Sequence, residues 1–595
     1  MMKADLDFLR PYMAAILALA LMGSACGRDM APEGTAAATP TDWRASTPAD
    51  WKFYGESEPG RSAGGMLATD ARIATDVGAE ILAVGGNAVD AAVATGFALA
   101  VVYPAAGNVG GGGFAVARLA DGTVAALDFR EKAPAAAHRD MYLDETGEVS
   151  RDAVLGHRAS GVPGSVAGLW ELHRRYGSLP WVDVVAPAIR LAADGFVADE
   201  DFAAAAADER FEQFEGSRAL FRAGGESVEV GATWRNADLA EALGRIVDDG
   251  PEGFYQGQTA ALIVAEMERG GGLITHADLL AYEAVWRDPV VFDYRGYEVI
   301  SMPPPSSGGL TLALMSNVLE GYELADVPWH GAQHLHLLTE VMRRAFADRN
   351  HWLGDPDFVS NPRDMFLSEE YAAELRSRIE PDAATPSAEI DPGSGSDGSE
   401  AMHTTHYSVV DSAGNAVGIT TTLNHGNGSG VTVQGAGFLL NNEMDDFASK
   451  PGSPNAFGLV QGEANAIAAN KRMLSAMTPT IVVRDGRAQL ITGASGGPTI
   501  ITGVYQVMSN VLDFGLAIDD AVRAPRIHQQ HLPDLLLYED GGLGPEQIAA
   551  LEALGHELMP GRFNIAVAAS LLLGADGWTG AHDPRAMGAA RGERQ

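Results

Sequence analysis

The sequence predicts an α+β protein, mainly helical up to about residue 352 and rich in antiparallel sheet after residue 404. Three observations carry this. Apolar residues recur at helical spacing in "ARIATDVGAEILAVGG" and "NAVDAAVATGFALAVVYP". "TTHYSVVD", "SAGN" and "AVGITTTLN" read as strand, turn and strand. "TPTIVVRDGRAQLIT" holds two strands joined at Asp485-Gly486, a strong hairpin signal.

In chain order, Lys3 and Arg10 flank the apolar run "PYMAAILALALMGSA". It is too short to span a bilayer and fits an export signal over residues 1–26. Cys26 is the only cysteine in the chain, so no intramolecular disulfide forms. Its place after "GSA" resembles a lipoprotein signal; cleavage after Ala25 is the other reading. Either way the protein is expected to be exported, to the periplasm or outer envelope. Residues 27–50, rich in Pro, Ala and Thr, read as a flexible linker. Helices follow from about Thr69. "GNVGGGGFAVARL" is a glycine cluster entering a strand, "PGSVAGLWELHRRYG" and 182–268 are mainly helical, and "VVFDYRGYEVISMPPPSSGG" is a hairpin and loop. "HGAQHLHLLTEVMRRAFADRNHWLG" is a long helix. From about residue 379 to His403 the tract has little to bury and is expected to be mobile and exposed. "TIITGVYQVMSNVLDF" is a further helix.

The chain carries 79 acidic and 41 basic residues, a net charge of −38. Such a surface repels phosphate backbones and argues against a nucleic-acid partner.

Several stretches offer chemistry. Gly493-Ala494-Ser495-Gly496-Gly497 matches the G-x-S-x-G nucleophile elbow, with Asp534 and His556 following in triad order. An elbow belongs in a parallel sheet, and here the preceding strand sits in an antiparallel hairpin. The same segment serves better as an anion site. Gly496 and Gly497 precede Pro498 at a helix start, which leaves two amides for an oxyanion. Arg130, at a strand end in "DFREKAP", is either a solvated cation or a carboxylate clamp. Glu443, Asp445 and Asp446 crowd "NNEMDDF", where they are hydrated or grip an ammonium group. "NVGGGGF" lacks the residues of a phosphate loop and reads as close backbone packing. His334 and His336 lack metal-ligand spacing on their helix. No metal or cofactor is expected.

Together, "GGNAVDAAVA", "GNVGGGGF", "LDFREKAP", "GVPGSVAG", "MPPPSSGG", "TTHYSVVD", "LLNNEMDDF", "KPGSPNAFGL", "NKRMLSAMTPT" and "TGASGG" resemble the γ-glutamyltranspeptidases, glutathione hydrolases of the N-terminal nucleophile superfamily. The resemblance implies a four-layer αββα sandwich and a precursor that cuts itself between His403 and Thr404. Residues 51–403 become a large subunit and 404–595 a small one, forming one globular unit. It also implies that Thr404 is the nucleophile, supported by Thr422. Arg130 and Ser475 hold the α-carboxylate of a γ-glutamyl group; Asn424, Glu443 and Asp446 hold its α-amine; Gly496 and Gly497 stabilise the oxyanion. The acyl group passes to water or to an amino acid or peptide.

Before cleavage the Thr404 nitrogen is an amide. Afterwards it is an amine of pKa about 8, able to take the hydroxyl proton near neutral pH. Ala476 stands where the family often has a second serine, so the carboxylate is expected to lose one hydrogen bond; "KPGSPNAFGL" resembles the bacterial lid over the pocket, and Phe457 stands in it where a tyrosine often reaches the residue corresponding to Asn424, so a looser lid is expected. Alternatives are an acylase of the glutaryl-cephalosporin type and an inactive exported binding lipoprotein of the same fold.

Overall fold

The computed structural model describes residues 41–55, 58–390, 404–561 and 564–593. The expected signal with Cys26, and His403 at the expected cut, lie outside them.

Two antiparallel sheets face one another between helical layers. The first runs Ala589–Gly592, Met66–Thr69, Thr404–Val410, Ala416–Thr422, Gly112–Arg118, Val124–Phe129, Val285–Arg287. The second runs Gly60–Ser62, Gly577–His582, Val567–Gly574, Arg487–Thr492, Thr480–Arg484, Tyr297–Ser301, Val290–Tyr294, with Ala494–Ser495 also pairing to Val567–Gly574. Helices Arg72–Ala83, Ala88–Val102 and Ser165–Tyr176 cover the first sheet; Gly308–Glu320, Thr499–Leu512 and Ile518–Arg523 cover the second. The expected αββα sandwich is present.

Local chemistry explains the elements that matter for the site. Helix Ala88–Val102 is buried along its whole length, as its Ala- and Val-rich sequence requires. Asn87 caps it, accepting from the amides of Val89 (2.9 Å) and Asp90 (3.0 Å), while Asp90 Oδ2 accepts from the Asn87 amide at 2.9 Å. Strand Thr404–Val410 is central, paired on both edges, and every residue is buried. Its β-branched start suits such a position. The glycines of "NVGGGGF" serve close packing, as expected: a Cβ on Gly111 would lie 2.1 Å from the Thr422 carbonyl oxygen. The Asp485-Gly486 hairpin also forms, with both residues at positive φ (51° and 71°).

Two segments depart from expectation. The expected linker over 27–50 is docked from Thr41 onward. The Thr41 amide donates to Phe514 O at 3.1 Å, and Trp43 and Trp51 are buried. Trp43, in a stretch otherwise read by its Pro and Ala content, and Trp51 directly after it provide that burial. The tract expected to be exposed from about 379 is held as far as Ile390. Ala384 N donates to Leu554 O (2.7 Å), Thr385 N to Glu340 Oε1 (3.1 Å) and Ser387 N to Asp534 Oδ2 (2.7 Å). Backbone hydrogen bonds to Leu554 O and to the Glu340 and Asp534 carboxylates hold a segment that has little apolar surface to bury.

Candidate active site

Register builds the centre of the site. Thr404 and Thr422 stand directly opposite one another at the ends of adjacent strands, so their side chains share a face. The Thr404 hydroxyl donates to Thr422 Oγ at 3.3 Å, and both residues are buried. Two residues on, the Asn424 amide donates to Thr422 Oγ at 2.8 Å, and Asn424 Nδ2 donates to Asn442 O at 3.1 Å. Asn424 has φ 76°, a left-handed conformation that asparagine tolerates better than most residues.

The acidic turn Glu443–Asp446 is fixed from beneath. Asn441 Nδ2 donates to Gly110 O and Gly161 O, both at 2.8 Å, and Asn441 Oδ1 accepts from the Glu443 amide at 3.1 Å. Glu443 and Asp446 converge on Arg130, which leaves strand Val124–Phe129 and is 1% exposed. Arg130 Nη1 donates to Glu443 and Nη2 to Asp446, and Nη1 lies 3.7 Å from Glu131 Oε2. Asp445, by contrast, turns toward the segment above: its Oδ2 accepts from the Ala456 amide at 3.3 Å.

Electrostatics follow from burial. Burial raises Glu443 and Asp446 above the usual carboxylate range, although Arg130 pulls both down. Glu131 is pushed up to about 8, again by burial first and with Arg130 opposing. For Arg130, burial is outweighed by Glu443, Asp446 and Glu131, which hold it firmly charged.

A small cavity of about 20 Å³ is lined by Thr404, Thr422, Asn424, Arg130, Glu443, Asp446, Ser475 and Gly497. Ser475 Oγ accepts from the Met477 amide at 3.1 Å. Ala476, also in the wall, adds no hydroxyl. Phe457 closes one side and is buried, its ring edge-on to His425 at 5.0 Å. The looser lid expected from Phe457 is thus countered by this contact and by Gln530 Nε2, which donates to Phe457 O at 3.2 Å. A cavity of about 890 Å³ opens on the other side of Thr404, lined also by His425, Asn427, Ser495 and Gly496.

Gly496 has φ 131° and Gly497 φ 53°, and a Cβ on Gly496 would lie 2.6 Å from Thr499 Oγ. The carbonyl oxygens of Gly496 and Gly497 accept from Thr499 N and Ile500 N, both at 3.1 Å, starting helix Thr499–Leu512. Neither glycine amide meets a protein acceptor among the described residues. Two such donors at a helix start, beside a buried hydroxyl, can hold a developing oxyanion.

The elbow triad does not assemble. Ser495 lies in the short strand paired antiparallel to Val567–Gly574. His556 Nε2 bonds His336 Nδ1 at 2.8 Å, and Asp534 Oδ1 lies 3.1 Å from Arg343 Nη2. His334 Nδ1 accepts from the His330 amide at 2.9 Å. His336, Glu340 and His556 bring their ligand atoms within 4.8 Å of one another. Yet both Glu340 oxygens accept from the guanidiniums of Arg343 and Arg344 (2.7 and 2.5 Å), which oppose a cation there.

The site positions implied by the family resemblance that lie among the described residues therefore gather around Thr404, and those of the elbow triad do not. Sequence reasoning missed two: Glu131, and Arg349 on helix Ala332–Trp352, which also lines the small cavity. Glu131 directly follows Arg130, and a carboxylate next to a candidate clamp was a signal. Arg349 gave none, since one arginine in a charged helix reads as a surface residue.

The γ-glutamyltranspeptidase family model matches residues 74–593. The glutathione hydrolase proenzyme of Escherichia coli (strain K12) is 46% identical over 543 residues, 90% of this chain and 93% of that protein. Among solved structures, cephalosporin acylase from Bacillus halodurans superposes with TM-score 0.81 at 28% identity, covering 92% of this chain and 99% of the other. Helicobacter pylori γ-glutamyltranspeptidase superposes with TM-score 0.54 at 43% identity, over 57% of this chain and 96% of its own. With a site of this geometry and matches across nearly its whole length, the chain belongs to the γ-glutamyltranspeptidase family.

Proposed function

We propose that the protein is an autoprocessing γ-glutamyl hydrolase and transferase acting on glutathione-like compounds. The observation that carries this is the Thr404 hydroxyl, 3.3 Å from Thr422 Oγ and lining one cavity with Arg130, Glu443 and Asp446. In the precursor, Thr404 Oγ attacks the His403 carbonyl, the acyl group moves from nitrogen to oxygen, and water hydrolyses the ester. His403 then ends the large subunit as a carboxylate, and Thr404 begins the small one with a free amine. That amine takes the hydroxyl proton as Oγ attacks the γ-carbonyl of substrate. The oxyanion accepts from the Gly496 and Gly497 amides. The leaving amine takes the proton, and the acyl ester is resolved by water or by an acceptor amine.

Thr422 orients the nucleophile. Ser475 and Arg130 face the α-carboxylate; Asn424, Glu443 and Asp446 face the α-amine. The large cavity beyond Thr404 receives the leaving and accepting amines. A volume near 20 Å³ holds about one water, so Lys450–Leu459 opens to admit substrate. Export through residues 1–26, with lipid on Cys26 as the finer variant, completes the reading. Among the described residues no helix is long and apolar enough to cross a membrane.

The acylase alternative draws on Ala476 and on the likeness to a cephalosporin acylase. A glutaryl group brings a carboxylate but no ammonium, however, to a pocket where Glu443 and Asp446 already pair with Arg130. γ-Glutamyl is therefore the better fit. A denaturing gel and an anilide assay test the proposal. Wild type should give two bands and release aniline from a γ-glutamyl anilide faster than from a glutaryl anilide; Thr404→Ala should give one band and no release. One band from both proteins would overturn it.

A further inference from the structure

Thr404 is the first residue of its strand, and the ladder that holds it is one-sided. On one edge the pairing with Ala416–Thr422 runs the full length, from Val410 back to Thr404. On the other edge the pairing with Met66–Thr69 stops at Tyr407, opposite Thr69. Thr404, Thr405 and His406 are all buried and have no strand beside them there. Buried amides and hydroxyls at such an edge need other partners.

Asp70 supplies them. It directly follows the short strand. The Ala71 amide donates to Thr69 Oγ at 3.0 Å, and Thr69 Oγ lies 2.9 Å from Thr75 Oγ, so the chain turns at once into helix Arg72–Ala83. The Asp70 carboxyl stays behind at the edge that the strand has left. Its Oδ2 accepts from the Thr405 hydroxyl at 3.0 Å, and the His406 amide also donates to the carboxyl. Amides alternate between the two edges along a strand. The Thr404 nitrogen, two residues before that of His406, therefore points to the edge that Asp70 holds. This is the nitrogen that changes from amide to amine when the chain is cut.

Asp70 is 2% exposed. Burial pushes its carboxyl up to about 8, the Thr405 hydroxyl and the His406 amide pull it down, and the nearby acids Asp583 and Asp201 push it up further. Asp583 is itself paired with Arg526 and Arg585. At neutral pH Asp70 thus serves as an uncharged hydrogen-bonding group rather than as a counter-ion, and a side-chain amide can stand in for it.

We propose that Asp70 is a positioning residue for Thr404: by tying Thr405 and His406 where the strand pairing has ended, it fixes the nucleophile opposite Thr422 for both self-cleavage and turnover. This rests on the reading of Thr404 as the nucleophile. Asp70 lines neither of the two cavities beside Thr404, so its loss should appear in rates rather than in substrate affinity.

The test follows cleavage of the precursor on denaturing gels, then kcat and KM on γ-glutamyl p-nitroanilide. In Asp70→Ala, self-cleavage and kcat should both slow about tenfold or more, as when a reacting group is misplaced. KM should stay within about threefold of wild type. Asp70→Asn, whose side-chain oxygen still accepts from Thr405 and His406, should recover most of both rates. Thr405→Val removes one bond of the two and should slow both about threefold. Wild-type rates in Asp70→Ala, a loss confined to KM, or an Asp70→Asn as slow as Asp70→Ala would each overturn the assignment. Should Asp70→Ala fail to fold, Thr405→Val decides: slowed cleavage at an unchanged KM supports the role, and unchanged cleavage and kcat overturn it. Wild type that never cuts itself would refute Thr404 as the nucleophile, and this assignment with it. Wild type that is cut but inert on the anilide would refute only the γ-glutamyl reading, and the cleavage rates would still judge Asp70.

Discussion

The two ends of the small cavity are held in place by different forces. At one end Thr404 and Thr422 are neutral hydroxyls on neighbouring strands, positioned by a backbone ladder that continues to Val410 and Ala416. At the other, Arg130, Glu131, Glu443 and Asp446 pack together out of water; burial raises the three acids, and the acids in turn hold Arg130 charged against its own burial. The hydroxyl end inherits its geometry from sheet register, which the whole fold enforces. The charged end depends on a few side chains compensating one another, so removing one member exposes the desolvation of the rest. Substitutions at the two ends should therefore fail in different ways.

The largest effect should come at the charged end. Arg130→Met leaves Glu131, Glu443 and Asp446 without the guanidinium that pairs with them. Removing one partner of a buried ion pair costs about 3–5 kcal/mol, and the loss should show as a lowered Tm. Turnover of a γ-glutamyl anilide should fall a hundredfold or more, since the acids would take up protons and no longer attract an ammonium. Unchanged stability would mean that the cluster is not compensated as described.

At the hydroxyl end Thr422→Val should cost less. It removes the acceptor of both the Thr404 hydroxyl and the Asn424 amide. A lost hydrogen bond is worth about 0.5–1.5 kcal/mol, so turnover should drop roughly tenfold and processing should slow, with little change in Tm. A loss as deep as that of Arg130→Met would erase the contrast between the two ends.

The same contrast governs what could be read from sequence. The hydroxyl end was legible because strand alternation, the Ser412-to-Asn415 turn and the run "GITTTLN" are local signals that the ladder simply realises. Gly496-Gly497-Pro498 was legible for a similar reason, positive φ and a helix start being written in residue types. The charged end was half legible: "DFREKAP" and "NNEMDDF" announced charges, but their pairing spans more than 300 residues. Arg349 lay beyond reach, because only burial against Ser307 and Gln461 distinguishes it from a solvated arginine. The docking of Thr41–Asp50 and of residues 379–390 escaped similarly. Pro- and Ala-rich composition suggests mobility, while distant partners such as Phe514 and Glu340 decide otherwise.

Glu131 should give the smallest effect on turnover and the most specific sign. It is absent from the wall of the cavity and touches it only through Arg130, so Glu131→Gln should keep activity within about threefold at pH 7. Its stability should nevertheless depend on pH in a defined direction. In the folded protein the carboxyl is pushed up to about 8, against an ordinary value of 4.5. Between those values the unfolded chain has released the proton and the folded chain still holds it, so wild-type stability declines as pH rises. The contribution is intact below about 4.5 and fully lost above about 8. Glutamine does not titrate, so the Tm of the variant relative to wild type should climb between pH 5 and 8 and then level off. Melts from pH 4 to 9 measure this directly. A difference that stays flat, or that falls with pH, would show that Arg130 keeps Glu131 ionised throughout, and the charged end would then carry one more negative charge at neutral pH than proposed.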